Sequence, residues 1–530
     1  MPNPNLQKRP RRILNLATRS GAPTVAWRRL GWLSASLLFG APASHAAAEP
    51  LEIGTRLEMF VDDHLISRLS GTRLKLSEPK ASGVALKFDA PWDGACSGFA
   101  TILQDGGKYR MYYVGLPMYD NDEEAGSYVC LAESSDGITW TKPNLGLVEY
   151  RGSKENNILF LPNPDEPYAS NFAPFLDNRP GVPGTERYKA VGGTWHKGGM
   201  YVLASQDGIH WRKWREKPVF KNGAFDSQNI VFWSELEQRY VFFFRVFTAI
   251  SDYSNLTKWS SASGSYRTIA KTTSTDLVSW TESRRMSFGE TPLEQFYTNH
   301  THPYFRAPHF YVGMPMRFVP GRRFLSDEKL AALKVVPTYL NITTGNHKIP
   351  NEVSDTVLIT SRGGYRYDRT FMEALVRPGT EEGNWVSRNG IAVTGVIQTG
   401  PTEMSFFVGQ HYAQPTAYLK RFVLRLDGFA SVNAPYSGGE MVTKPIVAGG
   451  KDLVLNYATS AAGEIRVELQ EPDGEPIPGF TLMESVPIVG DSIEQAFKWK
   501  FKADLGVLAG KPVRIRFVMK DADLYSIRFR

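Results

Sequence analysis

Apolar and polar residues alternate with a period of two along most of this chain. Runs such as KYRMYYVG (108–115), SYVCLAE (127–133), RYVFFFRVF (239–247) and YLKRFVLRL (418–426) set apolar side chains on one face or on both. That is the pattern of strands half or wholly buried in sheets. A helical period shows plainly only in SDEKLAALK (326–334), where Ser326 is placed to cap the first turn. The chain therefore reads as all-β.

The strands come in repeated units. Turn segments ESSDGITW (133–140), ASQDGIHW (204–211), TSTDLVSW (273–280), TSRGGYRY (360–367) and LRLDGFAS (424–431) centre on Asp136, Asp207, Asp276, Gly363 and Asp427, spaced 71, 69, 87 and 64 residues apart. Asp-Gly supplies the positive φ of a tight turn at little cost. An alternating strand leads into each turn, and a further strand pair lies upstream, as in FATILQ and KYRMYYVG across a DGG turn. Four antiparallel strands repeated five times predict a five-bladed β-propeller over 51–432, with the lone strand in LEMFVDDHLI (57–66) completing the last blade. Trp140, Trp211 and Trp280 are then expected to pack between blades. Beyond the Pro/Gly/Ser-rich NAPYSGG (433–439), alternation continues from GEMVTKPI to YSIRFR and predicts a β-sandwich over 433–530.

The first 48 residues are of another kind. Lys8, Arg9, Arg11, Arg12, Arg19, Arg28 and Arg29, with no acid among them, precede the apolar LGWLSASLLFG and the small-residue APASHAAA. Basic, apolar and small regions in that order are a signal peptide. The apolar core from Leu30 to Phe39 is well short of the roughly 20 residues of a membrane span. Cleavage after Ala46 or Ala48 and export to the periplasm or beyond are expected, with no membrane span in the mature protein. This changes the charge argument: the full chain is +7, and removing those seven residues leaves 54 basic against 54 acidic. Such a balance gives no reason to expect nucleic acid or an anionic membrane as partner. Two cysteines, Cys96 and Cys130, in so long a chain fit buried thiols better than a disulfide framework.

Five predicted blades and a following sandwich on an exported chain resemble the architecture of glycoside hydrolase family 32 and its propeller relatives, families 43, 62 and 68. The segments FVDDHLI, PWDGACSGFATILQDGGKYRMYYVG, SSDGITWTKPNLG, FDSQNIVFW, EQFYTNHTHPYFRAPH and RLDGFASV are more closely similar to exported bacterial proteins described as family 32-like, over nearly the whole mature chain. The resemblance implies a carbohydrate substrate and hydrolysis of an O-glycosyl bond, with no cofactor. The family 32 catalytic motifs N-D-P-N-G, R-D-P and E-C do not occur, so fructan chemistry does not carry over. A non-catalytic carbohydrate-binding or cell-surface propeller is the alternative.

Glycosidic cleavage needs two carboxyl groups, one protonated and one ionised, on opposite sides of the scissile bond. In a propeller they meet only in the central funnel. Asp93 in PWDGACSG and Asp226 in FDSQNIVFW precede the inner strands of the first and third predicted blades, either as catalytic groups or as caps of strand-start turns. Glu294 in EQFYTNHTHPYF stands in an aromatic stretch where burial would raise a carboxyl pKa. Glu403 in QTGPTEMSFF faces the funnel if it begins an inner strand and the opposite rim if it lies in the first hairpin. The working pair is expected among these four, with Asp226 ionised and Glu294 or Glu403 the acid. His300 and His302 sit two apart on an extended segment and suit a sugar pocket or plain packing better than a metal site. Arg245 and Arg306 lie inside apolar strands and need partners, a structural carboxylate or an anionic group of the substrate. Trp195, Tyr297 and Tyr304 offer faces to sugar rings. The acidic YDNDEEAG (119–126) lacks the spacing of a calcium loop and reads as a solvated turn. No phosphate loop, nucleotide fingerprint or G-x-S-x-G elbow occurs, and neither metal nor cofactor is expected.

Overall fold

A computed structural model describes residues 49–117, 127–162, 167–194, 198–261, 266–336, 352–386, 388–501 and 504–530. The expected signal peptide, the acidic turn at 119–126 and Trp195 lie outside the described residues. What is described is nearly all β. Sheet I runs Gly98–Asp105, Lys108–Gly115, Tyr128–Ser134 and Ile158–Phe160. Sheet II runs Ala173–Leu176, Tyr188–Thr194, Gly199–Ser205 and Arg212–Lys213, and sheet III runs Ile230–Ser234, Arg239–Thr248, Tyr266–Ser274 and Arg284–Arg285. Sheet IV is broken across its middle, where Pro315 interrupts the ladder. One half joins His302–Tyr304, Ala307–Gly313 and Ile359–Ser361, and the other joins Gln295–Phe296, Met316–Pro320 and Glu352–Thr356. Sheet V takes Ile397–Gln398, Glu403–Gln410 and Tyr418–Arg425 from one stretch of chain and Lys80–Lys87 from another.

One cavity of about 380 Å³ is lined by Thr101 of sheet I, Pro174 of sheet II, Phe232 of sheet III, His302 of sheet IV and Thr394, which lies just ahead of sheet V. Sheets I and V meet along that line. Ile102 N donates to Thr394 O at 2.8 Å, and Thr394 N to Ala100 O at 2.9 Å. Trp140 meets Phe407 of sheet V edge-on at 5.8 Å between ring centres, and Trp211 meets Tyr112 of sheet I at 6.1 Å. Trp280 packs on Phe220 and Phe242. These tryptophans fill the space between neighbouring sheets, as their place in the repeat predicts.

One hydrogen-bond pattern recurs at the first three turns. Ser134, Ser205 and Ser274 donate to Asp136, Asp207 and Asp276, and each aspartate Oδ1 accepts from the backbone N–H groups two and three residues on. The residue after each aspartate has positive φ, 70° at Gly137, 75° at Gly208 and 64° at Leu277. Leu277 carries the strain of that conformation while its side chain joins the core between sheets II and III. The fifth copy departs from the pattern. There Asp427 itself has φ 60°, because the strand after it, Ala430–Ala434, leaves sheet V and pairs with the C-terminal strand.

That C-terminal strand, Pro512–Phe529, organises a ten-stranded sheet with Leu453–Gln470, Gly439–Thr443 and Ala430–Ala434 as partners. Phe60, Val467, Phe517 and Leu524 are among its core residues. The N-terminal strands differ from expectation. Glu58–Met59 pairs with Pro512–Phe529, Ile66–Ser70 with Gly439–Thr443 and Arg73–Leu76 with Ala430–Ala434. Residues 51–76 thus pair with the C-terminal sheet rather than with the repeats, and that sheet begins at Ala430, ahead of 433. The strand at the edge of sheet V is Lys80–Lys87, not the one in LEMFVDDHLI. The reason is physical: LEMFV is apolar because Phe60 is fully buried in the C-terminal core. Lys80–Lys87 is a largely exposed edge strand with two register shifts, so it carries no clean alternation.

The helix forms at Asp327–Ala332, with Ser326 accepting from Lys329 N. Cys96 and Cys130 are buried free thiols.

Candidate functional site

Sheets III and IV bring three guanidinium groups onto one ring. Arg245 lies in Arg239–Thr248 and Arg267 at the start of Tyr266–Ser274, where it pairs with Phe247. Their Cζ atoms stand 4.6 Å and 6.0 Å from the ring centre of Tyr297, and Arg388, on the segment leading into sheet V, stands 5.3 Å from the same centre. Arg267 also lies 4.4 Å over Phe318. Each cation is attracted to the ring face, and the three repel one another. Arg245 is 3% exposed and pairs with Asp226, whose side chain is 52% exposed. Asp226 sits just ahead of Ile230–Ser234, the inner strand of sheet III. Arg267 donates instead to the neutral Oε1 of Gln295 at 3.2 Å. Burial foremost, and then the charge of Arg245, push the Arg267 pKa below the usual guanidinium value.

A groove of about 880 Å³ adjoins this cluster. Gln295 and Phe318 line it and also contact Arg267. Tyr266, Arg317, Glu373 and Trp385 complete much of its wall.

The other candidates are placed elsewhere or engaged otherwise. Asp93 is buried, accepting from Lys142 Nζ at 2.6 Å and from the Tyr113 hydroxyl at 3.0 Å. Burial raises its pKa and Lys142 works against that rise. Glu294 lines the groove, yet it accepts from Arg317 at 2.7 Å and from Arg369 at 2.8 Å. Two guanidinium groups thus close on it, where the sequence suggested an aromatic surround. Glu403 opens the second strand of sheet V, directly after the first hairpin, with Arg421 3.6 Å away. That places it on the opposite rim. Each of the four carboxylates has its own cation, and only Asp226 stands at the arginine cluster.

His300 and His302 are packed residues. The Nδ1 of His300 bonds Thr394 Oγ1 at 2.9 Å, while His302 bonds the His300 carbonyl through Nδ1 and accepts from Val396 N through Nε2. Burial lowers their pKa to about 3 and about 4, so both are neutral. His302 lines the cavity of about 380 Å³. Among the described residues no group of acidic, histidine and cysteine side chains has the arrangement of a metal site.

Tyr304, which lines the central cavity, and Arg306 are both engaged with Asp427. Tyr304 is fully buried and donates to Asp427 at 2.8 Å. Arg306 lies 3.0 Å from Asp427 and 3.1 Å from Glu494. For Arg306 the structural carboxylate is the answer. Arg267, Arg388, Gln295 and Phe318 went unseen in the sequence. Arg267 begins its strand, where a charged residue normally meets solvent, and Arg388 sits in the loop SRNG. No pattern in the chain joins either one to Tyr297.

No family model matches the sequence, and no curated protein matches it. Solved structures align with the chain at low scores. A glycoside hydrolase aligns at 12% identity over 66% of this chain and 92% of its own, with TM-score 0.41. A structure from work on the GH130 family of mannoside phosphorylases and glycoside hydrolases aligns at 13% over 66% and 93%, with TM-score 0.36. The GH32 β-fructofuranosidase of Bombyx mori aligns at 11% over 87% and 94%, with TM-score 0.36. At these scores the likeness assigns neither family nor reaction.

Proposed function

We propose that this is an exported, carbohydrate-active protein whose five sheets are the blades of a five-bladed β-propeller, closed by Lys80–Lys87 and followed by a β-sandwich. Its glycan binds where Asp226, Arg245 and Tyr297 meet. The observation that carries this reading is the half-exposed Asp226, held by a buried arginine beside an aromatic ring at the start of an inner strand. Beside it lies a groove of oligosaccharide dimensions. The reaction is hydrolysis of an O-glycosyl bond with water as acceptor. Asp226, ion-paired with Arg245, is the ionised carboxylate. The proton donor comes from the groove, where Glu373 is exposed and has no ion pair among the described residues, whereas Glu294 and Asp355 are both held by Arg317.

A second reading is favoured by one observation: Asp93, Glu294 and Glu403 are each tied to a cation away from Asp226. A glycan-binding propeller without chemistry would show the same. Screening the secreted protein against plant and algal polysaccharides for binding and for new reducing ends separates the two. For a hydrolase, Asp226→Asn loses turnover by roughly 10²- to 10⁴-fold with affinity changed only a few-fold. Binding with no reducing ends from wild type selects the second reading, and no binding to any glycan contradicts both.

A further inference from the structure

We propose that the glycan taken at this site is acidic, and that Arg245, Arg267 and Arg388 hold its carboxylate or sulfate group. The inference rests on the carbohydrate reading above and names the class of sugar.

Several guanidinium groups of this molecule are met by carboxylates or carbonyls of the chain itself. Arg362 meets both Glu58 and Asp62. Arg369 meets Glu294, and Arg285 is wrapped by the carbonyls of Asp252, Tyr253, Asn255 and Lys258. Arg267 is treated differently. Its side-chain acceptor is a neutral amide oxygen, and its buried Nε has no acceptor among the described residues. The Nε of Arg245 likewise has none.

The local charge points the same way. Three guanidinium groups crowd one tyrosine, and Arg245 among them pairs with the half-exposed Asp226. An anionic oxygen cluster brought against the ring edge would relieve the repulsion, and planar forks suit carboxylate and sulfate oxygens alike. The groove supplies the rest of a saccharide site. It starts at Gln295 and Phe318, which touch Arg267, and carries exposed Arg322 and Arg377 farther along. A chain with several acidic sugars fits that distribution better than a single free ion.

The test titrates the full secreted protein on an array of uronic-acid and sulfated glycans, each beside its carboxyl-reduced or desulfated counterpart. At least one acidic member is expected to bind roughly 10-fold or more tightly than its neutral counterpart, and the counterpart that loses binding tells carboxylate from sulfate. Arg267→Gln is expected to abolish that ratio and Arg267→Lys to keep part of it. The wild-type ratio stands as a readout even if a variant fails to fold. Equal binding of acidic and neutral partners overturns this inference and leaves the carbohydrate reading intact. Binding to no glycan of either kind overturns the carbohydrate reading, and this inference with it.

Discussion

Glu58 is a carboxylate with 1% of its surface exposed, and it stays charged there. Burial alone would raise its pKa, but His309 and Arg362, the latter at 2.7 Å, outweigh burial and hold it at about 2. Removing the cation strands the anion, so Arg362→Ala is expected to cost about 3–5 kcal/mol in denaturant unfolding, far more than an exposed arginine would. The buried histidines add a pH dependence of definite sign. His300 and His302 have folded pKa values of about 3 and about 4 against 6.5 in the unfolded chain. The unfolded state therefore binds protons first, and stability falls as pH drops below about 6.5, by about 1.4 kcal/mol per pH unit for each group. Glu58 adds to this lower down: its contribution is complete above its unfolded value of 4.5 and is lost as pH falls toward about 2. Melting temperatures measured from pH 7 to pH 3 should decline throughout, and a flat profile would contradict the neutral, buried histidines. At this scale the sequence was only partly readable. It marked Arg245 and Arg306 as cations that need partners, but the partners, Asp226 and Asp427, lie 19 and 121 positions away in the chain. Local pattern says nothing about such pairs.

Among the elements, the aspartate turns were the most legible because their chemistry is local. Ser, Asp and the following N–H groups close on one another within a few residues, whatever the rest of the fold does. Asp276→Ala leaves two backbone donors without their acceptor and is expected to lower stability by about 1–2 kcal/mol. Asp276→Asn should retain part of it, since an amide oxygen still accepts, though less strongly than a carboxylate. Equal loss in both variants, measured by urea unfolding, would show that the charge and not the acceptor matters. Edge strands were the least legible. Lys80–Lys87 contributes mainly backbone bonds to sheet V, and backbone bonds leave no trace in side-chain periodicity.

Across the whole molecule, Asp427 joins the repeats to the C-terminal sheet. Its buried carboxylate accepts from Tyr304 of sheet IV and from Asn456 and Ser526 of the C-terminal sheet, and Arg306 approaches it as well. Asp427→Ala is expected to loosen the two parts so that one unfolding transition becomes two in calorimetry, and a single transition at an unchanged temperature would contradict that role. The first three aspartate turns, with the four-stranded sheets they close, and a sheet built on the C-terminal stretch could be read from spacing and alternation. The return of residues 51–76 to the far end of the chain could not, since pairing across more than 350 residues is set by a core that exists only once folded. The central claim is that a glycan sits at Asp226, Arg245 and Tyr297. A crystal structure of the full chain with the tightest-binding glycan from the array is the test. Sugar density is expected against Tyr297, with an anionic group among Arg245, Arg267 and Arg388. Density confined to the C-terminal sheet or to the cavity shared by the inner strands would contradict it.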